Sequence, residues 1–384
     1  MNFLSFEWFF IMGLTVGFYW ILPAHVRAFW IILFTAVFLA LLDIRSLALL
    51  SFFALVIFLL TYKEKIIRQY LLVGIFAILA ALFYFKIEYR NHFQNPVLEL
   101  GIPLGLSYFA FRCLHLLIEI YRGTIKSPSA YEILTYLFFL PTIVIGPINR
   151  ATAFFQDQQT LQWRFSDLSE ALERILYGYV KIAFLGNFFI TGAFGLYIQN
   201  LDPSQVSLRI YLSTIQNGLN LYIQFSGFSD IAIGFALLLG YRVMENFDWP
   251  YFKKNIVDFW RAWHISLTSW SRDYVYMPLI GIYRNPYLAS ITSFVFIGLW
   301  HDVTIQYLAW GLYHAAGVII WQHWQRIKRR FKLAPLQSAG GRFIMNGLSI
   351  IITVHFVMFS FIIVREPDLM SAAHVFWALL TAWI

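Results

Sequence analysis

Cysteine is almost absent from this chain, and several common enzyme motifs are missing. The single cysteine, Cys113, rules out an internal disulfide and a zinc site built from several thiolates. The sequence contains no GxxxxGK[ST] phosphate loop, no HExxH metal pair, no GxSxG elbow and no GxGxxG turn. It therefore gives no support for nucleotide hydrolysis, zinc proteolysis or serine hydrolase chemistry.

Charge is also scarce, whereas apolar residues are abundant. Of the 384 residues, 12% are charged and 60% are hydrophobic, which is too apolar for a soluble core. Apolar segments that could cross a bilayer recur along the whole chain. We expect about ten of them to cross and the others to be tilted, re-entrant or interfacial, in an all-α polytopic membrane protein. The candidate segments are 8–22, 28–42, 46–61, 69–86, 102–121, 132–149, 174–197, 207–225, 228–241, 287–300, 303–324, 343–364 and 371–384.

The net charge of +8 is explained by a membrane better than by a nucleic acid, so no nucleic-acid partner is expected. The cations lie in short loops between apolar segments, and such loops are usually cytoplasmic. The first cluster is Lys63, Lys65 and Arg68, and the strongest is formed by Arg326, Lys328, Arg329, Arg330 and Lys332. Both loops are therefore predicted to face the cytoplasm.

Ionisable residues inside apolar segments are functional candidates, because each costs about 2.5 kcal/mol or more to insert. Glu119 lies four residues after His115, on the same helical face, where a paired charge between helices is the competing interpretation. Asp230 follows FSGFS and suits either a helix break or direct chemistry. His314 and His355 are lone histidines on apolar faces, for which a structural role is the better interpretation.

Residues 259–279, FWRAWHISLTSWSRDYVYMPL, form a pattern with one aromatic face and one polar face. Steps of three and four place Trp260, Trp263, Leu267, Trp270 and Tyr274 on one side of a predicted helix. The other side carries His264 and Arg272. This pattern fits a helix in the membrane interface or one that lines a wet cavity.

His301 lies in GLWHD, where one apolar run ends and the next begins. Non-helical backbone at membrane depth is tolerated where it is buried in protein or faces water. There a neutral imidazole can take a proton from a hydroxyl and return it to a leaving group. A helix-capping or structural histidine is the alternative, and Asp302 either orients the imidazole or solvates the turn. If the 326–332 loop is cytoplasmic and 303–324 is straight, His301 is predicted near the outer leaflet.

Five sequence blocks in order resemble the membrane-bound O-acyltransferase (MBOAT) family. The resemblance is to its bacterial branch, which includes alginate O-acetylation and teichoic-acid D-alanyl transfer proteins. The blocks are IPLGLSYFAFRCLHLLIEIYRG at 102–123, FFLPTIVIGPINR at 138–150, LYIQFSGFSDIAIGFALLLGYRVMENFDWPY at 221–251, DFWRAWHISLTSWSRDYVYMPL, and GLWHD.

The resemblance implies a fold and a site. It implies a ring of about ten transmembrane helices, with re-entrant and interfacial helices, around a thinned centre. In this single domain, 1–384, we expect N-terminal helices at 1–100, a catalytic core at 101–325 and C-terminal helices at 326–384. His301 matches the catalytic histidine and His264 its supporting partner. The expected tunnel or supporting residues are Arg272, Asp302, Trp300, Asp230 and Glu119. Asp302 replaces the family's usual glycine.

The resemblance also implies an enzyme of the bacterial inner membrane. It would move a small acyl group, most simply acetyl, from a cytoplasmic thioester to a hydroxyl on an envelope polysaccharide or an extracytoplasmic transferase partner. The donor would be acetyl-CoA or an acyl carrier protein, with no bound cofactor and no metal. D-alanyl transfer to teichoic acid or a similar acceptor is the alternative. From another class, a transporter or lipid flippase fits the many spans.

Overall fold

Helices account for nearly all regular structure in the described chain. The computed structural model describes residues 6–61, 68–92, 103–332 and 338–382. Within these ranges the only non-helical pairing is a bridge between Phe247 and Trp263. Among the described helices, six are long and apolar enough to cross a bilayer: Ala24–Leu42, Ile44–Thr61, Arg68–Glu88, Phe165–Gln199, Val206–Leu238 and Ala339–Arg365. The chain is an all-helical, multi-pass membrane protein, and the total of about ten crossings stays a prediction.

The first of two compact units comprises Met1–Val180 and Gly227–Glu245. In it α3 and α4 pack on α5, and α2 packs on α3 and α6. Its helices are α1 (Phe6–Ile21), α2 (Ala24–Leu42), α3 (Ile44–Thr61), α4 (Arg68–His92), α5 (Leu106–Tyr121), α6 (Ala130–Leu137), α7 (Ala151–Gln159) and α8 (Phe165–Tyr179).

The second unit comprises Lys181–Ser226 and Asn246–Ile384. The stretch Val180–Phe194 continues α8 with π-helical turns into α9 (Gly195–Gln199), and α10 (Val206–Leu238) begins here and ends in the first unit. The remaining helices are α11 (Ile256–Ala262), α12 (Ile265–Ser271), α13 (Met277–Tyr283), α14 (Pro286–His301), α15 (Ile305–Arg330), α16 (Ala339–Arg365) and α17 (Leu369–Thr381). The predicted boundaries at residues 100 and 325 stay predictions.

The predicted segment 132–149 is wrong as a membrane span. Helix α6 ends at Leu137, and residues 138–150 are non-helical apart from a 3₁₀ turn at Leu140–Thr142. Proline at 141 and 147 cannot donate the backbone hydrogen bonds of a helix, and Gly146 has a φ of 141°. The apolar composition of this segment therefore reflects burial in protein.

The predicted division between 207–225 and 228–241 is also wrong, because α10 runs unbroken from Val206 to Leu238. The glycine at 227 does not break the helix. Instead, the carbonyl oxygen of Gly227 lies where a Cβ added to Gly178 would come within 2.6 Å. The small residues permit close packing of two helices, which a hydropathy pattern does not distinguish from a break.

The continuous helix predicted across 259–279 is likewise wrong. Helix α11 ends at Ala262, α12 starts at Ile265, and π-helical turns at Arg272–Tyr276 lead into α13. The predicted aromatic side does share one environment, since Trp260, Trp263, Leu267 and Trp270 are all buried. The predicted aromatic face is therefore present, but the helix backbone is interrupted at His264.

Close backbone contact joins α14 and α15, the two helices on either side of His301. A Cβ added to Gly298 would lie 2.3 Å from the carbonyl oxygen of Tyr307. One added to Gly311 would lie 2.5 Å from the carbonyl oxygen of Phe294. Only glycine allows the two backbones to meet at both points.

Replacing Gly298 with alanine should therefore destabilise the protein. The methyl group overlaps backbone rather than a movable side chain, so we expect a loss of about 1–3 kcal/mol and a lower thermal midpoint in detergent. Gly281→Ala is the matched control, because a Cβ there meets nothing within 4 Å. Equal midpoints for the two variants would contradict the close contact.

Candidate active site around two histidines

His301 is the last residue of α14, at a sharp break in the chain. Asp302 is extended, with φ −159° and ψ 150°, and Thr304 caps the start of α15 by accepting a hydrogen bond from the Tyr307 amide. The break predicted at GLWHD is therefore confirmed. The His301 side chain keeps an exposed surface, so its imidazole can meet a mobile reactant.

Three aromatic rings surround the His301 imidazole. Trp300 lies 4.6 Å from it between ring centroids, and Trp310 lies 5.5 Å away in an edge-to-face arrangement. Tyr307 stacks on it at 5.7 Å with only 23° between the ring planes. Because Tyr307 and Trp310 belong to α15, the close α14–α15 contact also sets the orientation of the histidine.

His264 is held in an uncommon backbone conformation between α11 and α12. Its φ of 43° and ψ of 54° lie in the left-handed region, which is unfavourable for a residue with a Cβ. Asn246 supports this turn, since its carbonyl oxygen accepts from the Ile265 amide at 2.9 Å. The Asn246 side chain also accepts from the Ser266 hydroxyl at 2.6 Å.

The His264 side chain is buried, with 2% of its surface exposed. Its ring lies 4.7 Å from that of Phe225, edge to face. Its Nε2 atom has no hydrogen-bond partner among the residues that the structure describes. A buried polar atom without a hydrogen-bond partner is uncommon in a folded protein.

Burial, and secondarily the positive charge that His301 can carry, hold the pKa of His264 well below its usual range. His264 lies outside the six helices long and apolar enough to span the membrane. Its imidazole is therefore neutral at physiological pH.

Trp300 connects the two histidines. Its ring lies 5.9 Å from that of His264 and 4.6 Å from that of His301, and its side chain is buried. The structure thus brings together three of the residues predicted from the sequence. They form one aromatic cluster inside the second unit.

His314 extends the cluster on the side away from His264. Its ring lies 4.5 Å from that of Trp310, and its Nε2 lies 3.0 Å from the Ser360 hydroxyl oxygen. His355 bonds to the Tyr211 hydroxyl at 2.9 Å and to the Ile351 carbonyl at 2.7 Å. These two bonds occupy both ring nitrogens of His355, and its predicted structural role stays a prediction.

Asp302 and Arg272 have local partners. The Asp302 carboxylate accepts a hydrogen bond from the Val303 amide at 2.8 Å, which is the turn-forming alternative. Arg272 is exposed and pairs with Asp273 at 2.8 Å. Its predicted place in a substrate tunnel remains a prediction.

Glu119 and Asp230 belong to the first unit, and each takes part in an ion pair there. Glu119 pairs with Arg122 at 3.0 Å. Asp230 pairs with Arg174 at 2.7 Å, and Arg174 also contacts Glu245. Their predicted support of the histidines remains a prediction.

Asn246, Tyr307 and Trp310 were not predicted from the sequence. Nothing in the sequence distinguishes Tyr307 and Trp310 from other aromatic residues of an apolar helix. The sequence signal that could have found them is Gly298 and Gly311. Glycine has no Cβ, so two glycines at these positions allow α14 and α15 to pack closely. Asn246 carries no comparable signal, because its role depends on the backbone turn at His264.

The fold and this site define a class: a multi-pass helical membrane protein that presents one histidine at a helix break beside a second, buried one. Residues 18–362 match MBOAT, the membrane-bound O-acyltransferase family, and the chain belongs to that family. This membership leaves the transporter alternative without support.

Curated relatives come from both predicted branches. The chain is 29% identical to a probable alginate O-acetylase AlgI of Pseudomonas aeruginosa, over 83% of this chain and 61% of that protein. It is 30% identical to a teichoic acid D-alanyltransferase of Bacillus subtilis, over 79% of this chain and 80% of that protein. It is also 24% identical to a peptidoglycan O-acetyltransferase of Helicobacter pylori, over 94% of this chain and 76% of that protein. The chain thus spans about three fifths of the length of the alginate relative.

Two substitutions at His264 test whether the left-handed backbone conformation affects stability. Asparagine tolerates the left-handed region, whereas valine is β-branched and does not. We expect His264→Val to be less stable than His264→Asn by about 1–2 kcal/mol, as measured by thermal midpoints in detergent. Equal midpoints for these two variants of similar size would show that the left-handed turn is not retained.

Acid should destabilise the wild type more than His264→Asn. The folded pKa of His264 is below the unfolded value of 6.5, so below about pH 6.5 the unfolded chain binds a proton that the folded chain does not. The contribution of His264 to the free energy of unfolding is fully present above that pH. Below it, this contribution falls by up to about 1.4 kcal/mol per pH unit. Midpoints measured between about pH 7.5 and 5.5 should therefore converge at low pH, and parallel curves would contradict the neutral buried imidazole.

Proposed function

We propose that this protein is an acyltransferase of the bacterial inner membrane. It moves a small acyl group from a cytoplasmic thioester to a hydroxyl on an envelope polysaccharide or an extracytoplasmic transferase partner. The observation that carries the proposal is the His264–Trp300–His301 cluster in a member of the membrane-bound O-acyltransferase family. The alginate O-acetylase relative and the peptidoglycan O-acetyltransferase relative support acetyl as the acyl group that is transferred.

In the proposed reaction His301 acts as the general base. It takes the proton from the attacking hydroxyl while the hydroxyl oxygen forms a bond to the thioester carbonyl carbon. The carbon–sulfur bond then breaks, and the departing sulfur receives the proton from the imidazolium. An exposed imidazole, held on three sides by Trp300, Tyr307 and Trp310, suits a group that must meet two reactants without rotating.

His264 has a separate part in this proposal. Its neutral ring is buried and its Nε2 has no partner among the described residues. With the proton on Nε2, the imidazole donates a hydrogen bond to the oxygen that becomes negative in the tetrahedral intermediate. Such a donor is effective because it is already oriented and excluded from water.

The donor is proposed to be acetyl-CoA or an acyl carrier protein, bound at the face that carries Arg326, Lys328, Arg329 and Arg330. By the positive-inside rule, that end of α15 is predicted to be cytoplasmic. The family-type ring of helices around a thinned centre belongs to the same proposal, because it would let donor and acceptor approach His301 from opposite faces.

D-alanyl transfer is the second candidate. It is favoured by the teichoic acid D-alanyltransferase of Bacillus subtilis, 80% of whose length is matched. The same two histidines would serve this reaction, because it also transfers an acyl group from a thioester to a hydroxyl. Mass spectrometry of envelope polymers, with and without the protein, distinguishes acetyl from alanyl esters.

Replacing His301 with alanine should abolish acyl incorporation into the envelope. Loss of a general base typically lowers the rate by about 10²- to 10⁴-fold. Acyl ester content is measured in cells that carry wild type or variant at equal membrane abundance. His374→Ala is the matched control, because His374 is an exposed histidine of α17, outside the cluster. Wild-type ester content in His301→Ala cells would overturn the mechanism.

A further inference from the structure

A groove in the second unit lies apart from the histidine cluster. It has a volume of about 470 Å³ and is bordered by α15, α16 and the residues at the start of α11. His301 precedes the start of α15, whereas the groove takes its α15 residues from Gly317 to Lys328. The groove shares Lys328 with the face proposed to bind the donor, but neither His264 nor His301 lines it.

Two lysines lie at the rim of the groove. Lys254 precedes α11 and is exposed, and Lys328 is half-buried in the last turn of α15. The Lys328 ammonium lies 5.3 Å from the centre of the Trp324 ring, a cation–π contact that restricts its position. In the described part of the chain neither lysine has an ion-pair partner, and the described lining residues include no aspartate or glutamate. The described lining residues of the groove therefore carry two positive charges and no negative one.

The wall of the groove formed by α15 and α16 carries apolar side chains that are exposed. Ile320 of α15 and Ile352 of α16 each expose 68% of their surface, and Trp324 exposes 46%. At the deep end α15 approaches Phe356 closely, since a Cβ on Gly317 would come within 2.5 Å of the Phe356 ring. Helix α16 is one of the six described helices that are long and apolar enough to cross a membrane, and an exposed apolar wall on such a helix suits contact with hydrocarbon.

We propose that the groove binds an anionic phospholipid, with its phosphate between Lys254 and Lys328 and one acyl chain along Ile320 and Ile352. A lipid is the occupant that uses both features, because a soluble phosphate leaves the apolar wall uncovered. An anionic headgroup is favoured because the rim carries two positive charges and no negative one. The basic end of α15 is predicted to be cytoplasmic, and anionic lipids attract basic segments beside a membrane. This proposal does not depend on acyl transfer.

Lipid binding by the purified protein tests this proposal. Delipidated protein in detergent is titrated with phosphatidylglycerol, with phosphatidylcholine of the same acyl chains, or with inorganic phosphate. Bound lipid is counted by native mass spectrometry. We expect phosphatidylglycerol to bind and to raise the thermal midpoint, while the other two probes bind at least tenfold more weakly.

Two double variants locate the site. Lys254→Gln with Lys328→Gln should weaken phosphatidylglycerol binding about 25-fold, since each basic residue near an anionic lipid surface contributes about fivefold. Arg329→Gln with Arg330→Gln removes the same number of positive charges, both from the last turn of α15, but neither arginine lines the groove, so this control should bind nearly as the wild type does. Ile352→Glu adds a carboxylate to the wall and should weaken binding as well.

The outcomes that would overturn the proposal are distinct. Equal weakening in the lysine and arginine variants would show that binding reflects general basic charge. Equal binding of phosphatidylcholine would show that only the apolar wall is used. Equal binding of inorganic phosphate would show an anion site without a lipid.

Discussion

The contact on which the rest of the site depends is the meeting of the α14 and α15 backbones at Gly298 and Gly311. It allows the chain to turn within Asp302–Thr304, so that His301 ends one helix while Tyr307 and Trp310 of the next helix hold its ring. A side chain at either glycine would separate the two helices. The imidazole would then lose the rings that orient it, even though no residue of the cluster had changed.

A second constraint complements the first at His264. There a left-handed residue, stabilised by Asn246, brings a buried imidazole against Trp300. Backbone strain of this kind persists only where the surroundings determine it, and it is frequent at functional sites. One histidine is thus accessible at a helix break and the other is enclosed. This difference in burial gives two chemically identical side chains different proposed roles.

Much of this arrangement could be predicted from residue patterns. The break at GLWHD follows from a polar pair between apolar runs, and both histidines were identified through their sequence blocks. The turn at His264 could not be predicted, because side-chain periodicity across 259–279 continues through it while the backbone does not. The non-helical 138–150 segment was mispredicted because hydropathy reports burial but does not distinguish lipid from protein as the surroundings. The unbroken α10 was mispredicted because small residues at a close contact between helices resemble a helix break.

Transfer between the two sides of a sealed membrane tests the central claim most directly. Proteoliposomes are prepared with the basic end of α15 facing a compartment that contains labelled acetyl-CoA, and an oligosaccharide from the cell envelope is supplied on the other side. The account predicts label on the oligosaccharide, through a site that both faces can reach. Label that forms only when donor and acceptor share one compartment would contradict it.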